Sequence, residues 1–450
     1  MDRGLERFWG WVHVWRNRTR RNIRHRFFRV IMALCVLSLL AGGYVSPVHA
    51  QEAPQLDVKS AILVEAETGK VLYAYNAQQP LPPASMTKMM TEYLVLEAIE
   101  KGTITWDQKV RVSEAAASLE GSQVWLYPGE ERTVRELFTA MAVYSANDAT
   151  VALAELLAGN ETAFVQMMNE KAREMGMKNT HFVTSSGYPA EDMDPAFRPQ
   201  IDGEHVMSAE DAAILGRELI LKQPGIFEFT TIPEAVFREG EGKGEVRMHN
   251  WNWLIKPLVF AYEGADGLKT GNTEAAGYCI TATAKRGDMR LIAVIMGAKT
   301  IEDRFREVRK LLDWGFNNFT VQTLVKGKEP VEGFEQAPVV DGKKRYVPVV
   351  PQQNLTVVVP KGQGGDYQPK VVWNEEALKA PIEQQQVVGW LKMVPAEGDP
   401  DTFLANIPEE QQNAVALVAQ ENVEKAGFVR LFFRSIKDLI VSVFQSVVGR

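Results

Sequence analysis

The stretch Pro82-Pro83-Ala84-Ser85-Met86-Thr87-Lys88 sets a hydroxyl and an amine three residues apart where a helical pattern begins. At that spacing both side chains lie on one helix face and can touch. An alcohol is a weak nucleophile until a neighbouring base takes its proton. Lys88 can be that base if burial or nearby cations bring its pKa down from about 10.4 towards neutrality. A serine at a helix start also gains free backbone N–H groups and the positive end of the dipole. Taken singly, Ser-x-x-Lys is equally a helix cap beside a solvated lysine. Two further groups stand beside it in the sequence. Tyr144-Ser145-Ala146-Asn147-Asp148 falls between two helical stretches, so Ser145 and Asn147 can project from a loop. Asp266-Gly267-Leu268-Lys269-Thr270-Gly271-Asn272 precedes a hairpin. Lys-Thr-Gly on a strand sets an ammonium and a hydroxyl beside a backbone that a ligand can approach, because Gly271 has no side chain.

The elements that must position these groups follow from periodicity. Ser60 to Ala66 and Val71 to Tyr75 flank Glu67-Thr68-Gly69-Lys70, and Gly277 to Ala284 and Met289 to Met296 flank Lys285-Arg286-Gly287-Asp288, so each predicts a hairpin. Between them Ser85 to Lys101, Thr133 to Val143, Ala149 to Ala158, Glu161 to Met175 and Ser208 to Leu221 carry apolar residues at helical spacing, and roughly Ile301 to Phe319 does so after the second hairpin. Strands from both ends with helices inserted between them predict an α/β (α+β) sandwich, an antiparallel sheet covered by helices. From Val321 the chain turns rich in Val, Pro, Gly and Gln, which predicts a small all-β domain over 321–408. Over 409–450 the expectation is an amphipathic helix. Phe428, Leu431, Phe432, Leu439, Ile440, Val443, Phe444 and Val447 recur on one side, and Arg430, Arg434, Lys437 and Asp438 lie largely on the other. That charge count argues for lying in a membrane interface over crossing it. Packing on the protein's own β domain is the alternative.

Composition excludes some partners. The 450 residues carry a net charge of −7, but residues 1–50 hold nine Arg against Asp2 and Glu6, or +7, which leaves −14 on the remainder. An acidic body of that size lacks the basic face that nucleic acid requires. The basic block Arg16 to Arg29, the apolar run Val30 to Ala41 and Val48-His49-Ala50 have the order of a secretory signal, with cleavage expected after Ala50. An uncleaved anchor is the alternative, and both export the body. Cys279 is the one cysteine outside the leader, so no intramolecular disulfide forms after processing, and its apolar setting predicts a buried, inert thiol. Outside the leader the histidines are His181, His205 and His249, widely spaced, with neither His-Glu-x-x-His nor Gly-x-Ser-x-Gly. A zinc protease or a Ser-His-Asp triad therefore has little support, and local hydrogen bonding is the expected histidine role.

In the order Ser85/Lys88, Ser145/Asn147 and Lys269/Thr270/Gly271, with Ser145 following Ser85 by 60 residues and Lys269 following Ser145 by 124, the three groups form the set found in penicillin-binding proteins and class A β-lactamases. From about residue 57 to the end the chain resembles low-molecular-mass penicillin-binding proteins. These are the serine D-Ala-D-Ala carboxypeptidases of the peptidase S11 type, and the nearest likeness is to the vegetative form of Gram-positive spore-formers. Ala84 to Leu94, Asp266 to Gly271 and Glu421 to Ala426 carry the likeness. The resemblance implies a β-lactamase/transpeptidase-like catalytic domain over 51–320, a β-rich C-terminal domain and a membrane-anchoring tail. It implies that Ser85 attacks the bond between two terminal D-alanines of a peptidoglycan stem peptide, that Lys88 takes the serine proton, and that Ser145 relays a proton to the leaving amine. Asn147 would contact the substrate amide, Lys269 would supply positive charge, and Thr270 and Arg304 would help hold the terminal carboxylate. The backbone N–H groups of Ser85 and Asn272 would form the oxyanion hole, worth roughly 3–4 kcal/mol per donor in other acyl-transfer enzymes. No cofactor or metal is called for, and β-lactams would act as covalent inhibitors. Where relatives carry His before the glycine of Thr184-Ser185-Ser186-Gly187-Tyr188, this chain has Ser186. Competing readings are a β-lactamase, for which a Glu-x-x-Leu-Asn stretch is missing, a transpeptidase, and a non-catalytic peptidoglycan-binding scaffold, which has no need of a nucleophile.

Overall fold

Two apolar hairpins supply most of the central sheet, and the loop before the second supplies its edge. The computed structural model describes residues 52–362, 366–396 and 401–448, so the expected signal over 1–50 lies outside the described residues. Strands β1 (Ser60–Glu65) and β2 (Val71–Tyr75) form the first hairpin. Strands β3 (Ala265–Thr273), β4 (Gly277–Arg286) and β5 (Met289–Ala298) follow 190 residues later. The five pair antiparallel in the order β2-β1-β5-β4-β3, so the early hairpin joins the late one through β1 and β5. Side chains alternate strictly. Ile62, Val64, Ile292, Val294 and Met296 enter one core, and Ala61, Leu63, Leu291, Ala293 and Ile295 enter the other. A sheet buried on both faces needs apolar residues at both phases of the pleat, which is why β5 reads as an unbroken apolar run.

The first core is covered by helices α1 (Lys88–Glu100), α2 (Val134–Tyr144), α3 (Asn147–Ala158), α4 (Glu161–Glu174) and α5 (Ala209–Lys222). The start of α2 is fixed by a capping box, in which Thr133 Oγ1 accepts from the Glu136 N–H and Glu136 accepts from the Thr133 N–H at 2.7 Å. The second core is covered by α6 (Ile301–Asn318), whose buried Phe305, Val308, Leu311, Leu312 and Phe316 recur at helical spacing. The α/β sandwich expected from the sequence is the fold observed.

After α6 the chain becomes all-β. Strand β6 (Phe319–Val325) pairs with β9 (Leu355–Pro360). A second five-stranded sheet has the order β7-β8-β12-β11-β10, with β7 at Gln336–Pro338, β8 at Tyr346–Pro351, β10 at Tyr367–Trp373, β11 at Val387–Pro395 and β12 at Ala414–Ala419. Ala414–Ala419 is thus a central strand, where the sequence suggests a helical tail from 409. Its run Ala-Val-Ala-Leu-Val-Ala is buried between β8 and β11, and the tail helix α7 begins only at Phe428 and runs to Val448. A strap just before β12 returns to the first hairpin. Val71 N–H donates to Thr402 O, Leu404 N–H donates to Gly69 O, and the Lys70 ammonium meets Asp401 at 2.5 Å and Val358 O at 2.8 Å.

Candidate active site

Pro82 and Pro83 halt the preceding chain, and residues Ala84–Thr87 form a single 3₁₀ turn from which α1 continues at Lys88. Ala84 has φ +48, a left-handed conformation that a side chain tolerates only when the surroundings hold it. Two glycines provide that hold. A Cβ on Gly187 would fall 2.0 Å from Ala84 O, and one on Gly271 would fall 2.5 Å from Pro83 O. The loop after α4 and the edge strand β3 therefore close on the Ser85 turn from two sides, at separations only glycine permits.

The geometry of Lys88 decides its chemistry. Its side chain is fully buried, and Nζ lies 2.9 Å from Ser85 Oγ, 2.8 Å from Asn147 Oδ1 and 2.8 Å from the Ser186 carbonyl. A free amine has two N–H groups and one lone pair. The amide and carbonyl oxygens accept from the N–H groups, which leaves the lone pair directed at the Ser85 hydroxyl. Burial drives the Lys88 pKa well below its ordinary value, and the Lys269 ammonium adds to the fall. Asn147, the first residue of α3, is held by donating from Nδ2 to Glu120 O at 2.7 Å.

Lys269 on β3 donates to Ser145 Oγ at 2.8 Å. Burial brings its pKa down to about 8, against the pull of Glu92. Ser145 closes α2 in a left-handed conformation, φ +62. The carbonyl just before it, Tyr144 O, accepts from Ser122 Oγ at 2.6 Å and from the Trp251 indole N–H at 3.0 Å, which fixes the turn. Two hydroxyls, Ser85 and Ser145, are thus each bonded to a buried lysine amine. Thr270 is buried beside Lys269 on the same strand, and Asn272, one residue past Gly271, is exposed. Arg304 on α6 is buried behind this strand, with Nη1 3.4 Å from both Gly271 O and Cys279 O. Burial lowers the Arg304 pKa to about 10. Cys279 is buried, its thiol pushed up to about 11.

Several supporting groups have no motif to announce them. Asp148 accepts from the Val124 and Leu126 N–H groups and ties down the loop that offers Glu120 and Ser122. Arg238 braces the same loop through Val124 O, Trp125 O and a paired contact with Glu130. Glu161 accepts from the Ser185 N–H and hydroxyl, at 2.8 and 2.6 Å, and so sets the loop that offers the Ser186 carbonyl. His205 stands outside the proton path. Its Nδ1 accepts from the Val183 and Thr184 N–H groups, which places the ring proton on Nε2, 2.8 Å from Thr87 Oγ1. Desolvation of the ring lowers its pKa to about 3.

Comparison with known proteins follows the same two-part layout. Residues 47–300 match the family model for D-alanyl-D-alanine carboxypeptidase, Peptidase S11, and residues 319–425 match the C-terminal domain of penicillin-binding protein 5. The D-alanyl-D-alanine carboxypeptidase DacF of Bacillus subtilis is 39% identical over 85% of this chain and 90% of its own length. The enzyme DacA of Escherichia coli is 33% identical over 85% of this chain and 93% of its own length. Among solved structures, a peptidoglycan synthesis regulatory factor (PBP3) from Streptococcus pneumoniae superposes with a TM-score of 0.70 at 32% identity, covering 82% of this chain and all of that one. Penicillin-binding protein 5 from Haemophilus influenzae gives 0.67 at 30% identity, covering 83% and 99%. With its catalytic and C-terminal parts both matched, the chain belongs to the Peptidase S11 family of D-alanyl-D-alanine carboxypeptidases, the low-molecular-mass penicillin-binding proteins.

Proposed function

We propose that Ser85 is the acylated nucleophile of an exported D-Ala-D-Ala carboxypeptidase that trims peptidoglycan stem peptides at the outer face of the cytoplasmic membrane. The observation that carries this reading is the three-way hold on Lys88 Nζ, which sets a buried amine 2.9 Å from Ser85 Oγ. Ser85 Oγ bonds to the penultimate D-alanine carbonyl carbon as its proton passes to Lys88. Ser145, polarised by Lys269, relays that proton to the D-alanine nitrogen as the C–N bond breaks, and water then releases the acyl group. The backbone N–H groups of Ser85 and Asn272 receive the developing oxyanion. Asn147 orients the substrate amide, and Lys269, Thr270 and Gly271 meet the terminal carboxylate, with Arg304 adding positive charge from behind the strand. A β-lactam enters the same cycle and leaves slowly.

The basic and apolar leader supports export. No helix among the described residues is long and apolar enough to cross a membrane. Helix α7 nonetheless exposes Phe428, Phe433 and Ile440 at 82%, 65% and 62%, which suits a helix lying in a lipid interface.

Incubating the full chain with labelled penicillin and, separately, with a peptide ending in D-Ala-D-Ala tests the reading. A long-lived adduct together with D-alanine release is expected, and Ser85→Ala is expected to abolish both. Rapid penicillin turnover without peptide cleavage means a β-lactamase, and no adduct sinks the enzyme reading. Transfer of the acyl group to an added amine in preference to water means a transpeptidase.

A further inference from the structure

Helix α1 is buried on all sides over its first nine residues, Lys88 to Leu96, and Glu92 sits in the middle of that run. The Glu92 side chain is fully buried, and neither carboxylate oxygen has a hydrogen-bond partner among the described residues. A carboxyl group in such surroundings is costly to keep, and a methionine or leucine would pack there at no such cost. Glu92 follows Lys88 by four residues and so lies on the same helix face, one turn further in.

The charges around it explain its retention. Lys269 on β3 acts on Glu92 most strongly, and Lys88 on its own helix acts next. Arg304 on α6 bears on Lys269. Asp148 on α3 and Glu161 on α4 bear on Lys88, but each carboxylate is already taken up by backbone N–H groups, of Val124, Leu126 and Ala149 for Asp148 and of Ser185 for Glu161. His205, neutral with Nδ1 occupied, adds no charge. The cluster thus gathers three buried cationic side chains, and Glu92 is its carboxylate with no prior claim.

We propose that Glu92 is a positioning residue for acylation, the buried counter-charge that keeps Lys269 an ammonium while Lys88 is a free amine, and that offsets the charge Lys88 gains from Ser85. The inference rests on the acylation reading of Ser85 given above. In that step the Ser85 O–H bond breaks, Oγ bonds to the acyl carbon as the carbonyl π pair moves onto its oxygen, and the proton goes to Lys88 Nζ. Without Glu92, two buried ammonium groups would then repel each other with no unclaimed carboxylate to offset them. Burial raises the Glu92 pKa and lowers that of Lys269, while each charge pulls the other group back, so the two titrate as a pair. The negative charge raises both lysine pKa values. Removing it therefore lets Lys88 become a base at lower pH and makes Lys269 lose its proton at lower pH.

The test is the pH profile of second-order acylation by labelled penicillin, measured on the full chain as wild type, Glu92→Gln, Glu92→Met and Glu92→Asp, with thermal melting to confirm folding. Both limbs of the bell are expected to move to lower pH by about one unit in Glu92→Gln and Glu92→Met, and Glu92→Asp is expected to restore them towards wild type. Glu92→Met fills the site without an unpaired amide and carries the test if glutamine is not tolerated. Limbs that stay in place while only the rate falls would assign Glu92 to packing and overturn the proposal. A wild type that takes up no label would break the acylation reading instead, so the two failures are distinct.

Discussion

Of the buried polar and charged side chains among the described residues, Asn413 is the one that lies beyond residue 318. The catalytic part buries Lys88, Glu92, Asp148, Glu161, Lys269 and Arg304 in or near one cleft, whereas the C-terminal part fills its core with Val347, Val349, Val357, Val388, Leu391 and Leu417. Each part is built around a five-stranded sheet that packs apolar side chains. They differ in what packing is used for. In the C-terminal part it fills a core of apolar side chains. In the catalytic part it encloses charges that oppose folding and that the proposed acyl transfer would use.

The widest separation between the two is expected from Lys88→Met. Penicillin acylation and D-alanine release should fall by about 10²–10⁴-fold, while the denaturation midpoint stays level or rises, because a buried polar amine is replaced by an apolar side chain of similar size. A marked loss of stability would mean that the charge cluster holds the fold as well as the chemistry. The converse is Leu391→Ala. Leu391 is buried in the centre of β11. Unfolding in urea should show a loss of about 2–5 kcal/mol, with kcat/KM on a soluble peptide unchanged. A fall in kcat/KM would show that the two parts communicate.

Much of this contrast was legible beforehand. The apolar runs on either side of Glu67-Thr68-Gly69-Lys70 and of Lys285-Arg286-Gly287-Asp288 announced the two hairpins, and the three spaced motifs named Ser85, Lys88, Ser145, Asn147 and Lys269, which the fold brings together. Other pieces left no trace in residue type. The third partner of Lys88 is a backbone carbonyl, of Ser186, and any residue supplies one. Arg238 and Glu130 meet across 108 residues, a pairing that no local pattern carries. Ala414 to Ala419 escaped because a short apolar run fits strand or helix equally until its neighbours in the sheet are known. Glu92 did leave a signal, an acid within an apolar helical run one turn from a candidate base.

His205 sharpens the comparison through pH. In the unfolded chain its ring protonates below about 6.5, whereas in the folded chain it resists until about 3. The unfolded state therefore binds the extra proton between those values, so the stability this ring contributes is complete above about 6.5 and is lost as pH falls. Melting curves from pH 7 down to pH 5 should decline more steeply for wild type than for His205→Gln, and equal slopes would remove the ring from the account. The smallest effect expected is from Thr133→Ala, which breaks the capping box of α2. Thermal or chemical unfolding should register a loss of about 1 kcal/mol with D-alanine release intact. A larger fall in activity than in stability would mean that the start of α2 governs the Ser145 turn at its other end.

The strap that runs from Asp401 to Leu404 has a consequence for reach. The C-terminal part is joined to the catalytic part by the direct passage from α6 into β6, and again by the contacts of the strap with Gly69, Lys70 and Val71. One attachment would be a hinge, and two make a bracket. The catalytic sheet and the C-terminal part are thereby fastened at two places far apart in the sequence. For the enzyme proposed above, a bracket of this kind would carry the site and the β domain as one piece, so that lengthening the β domain would shift the site's reach without touching a single catalytic atom.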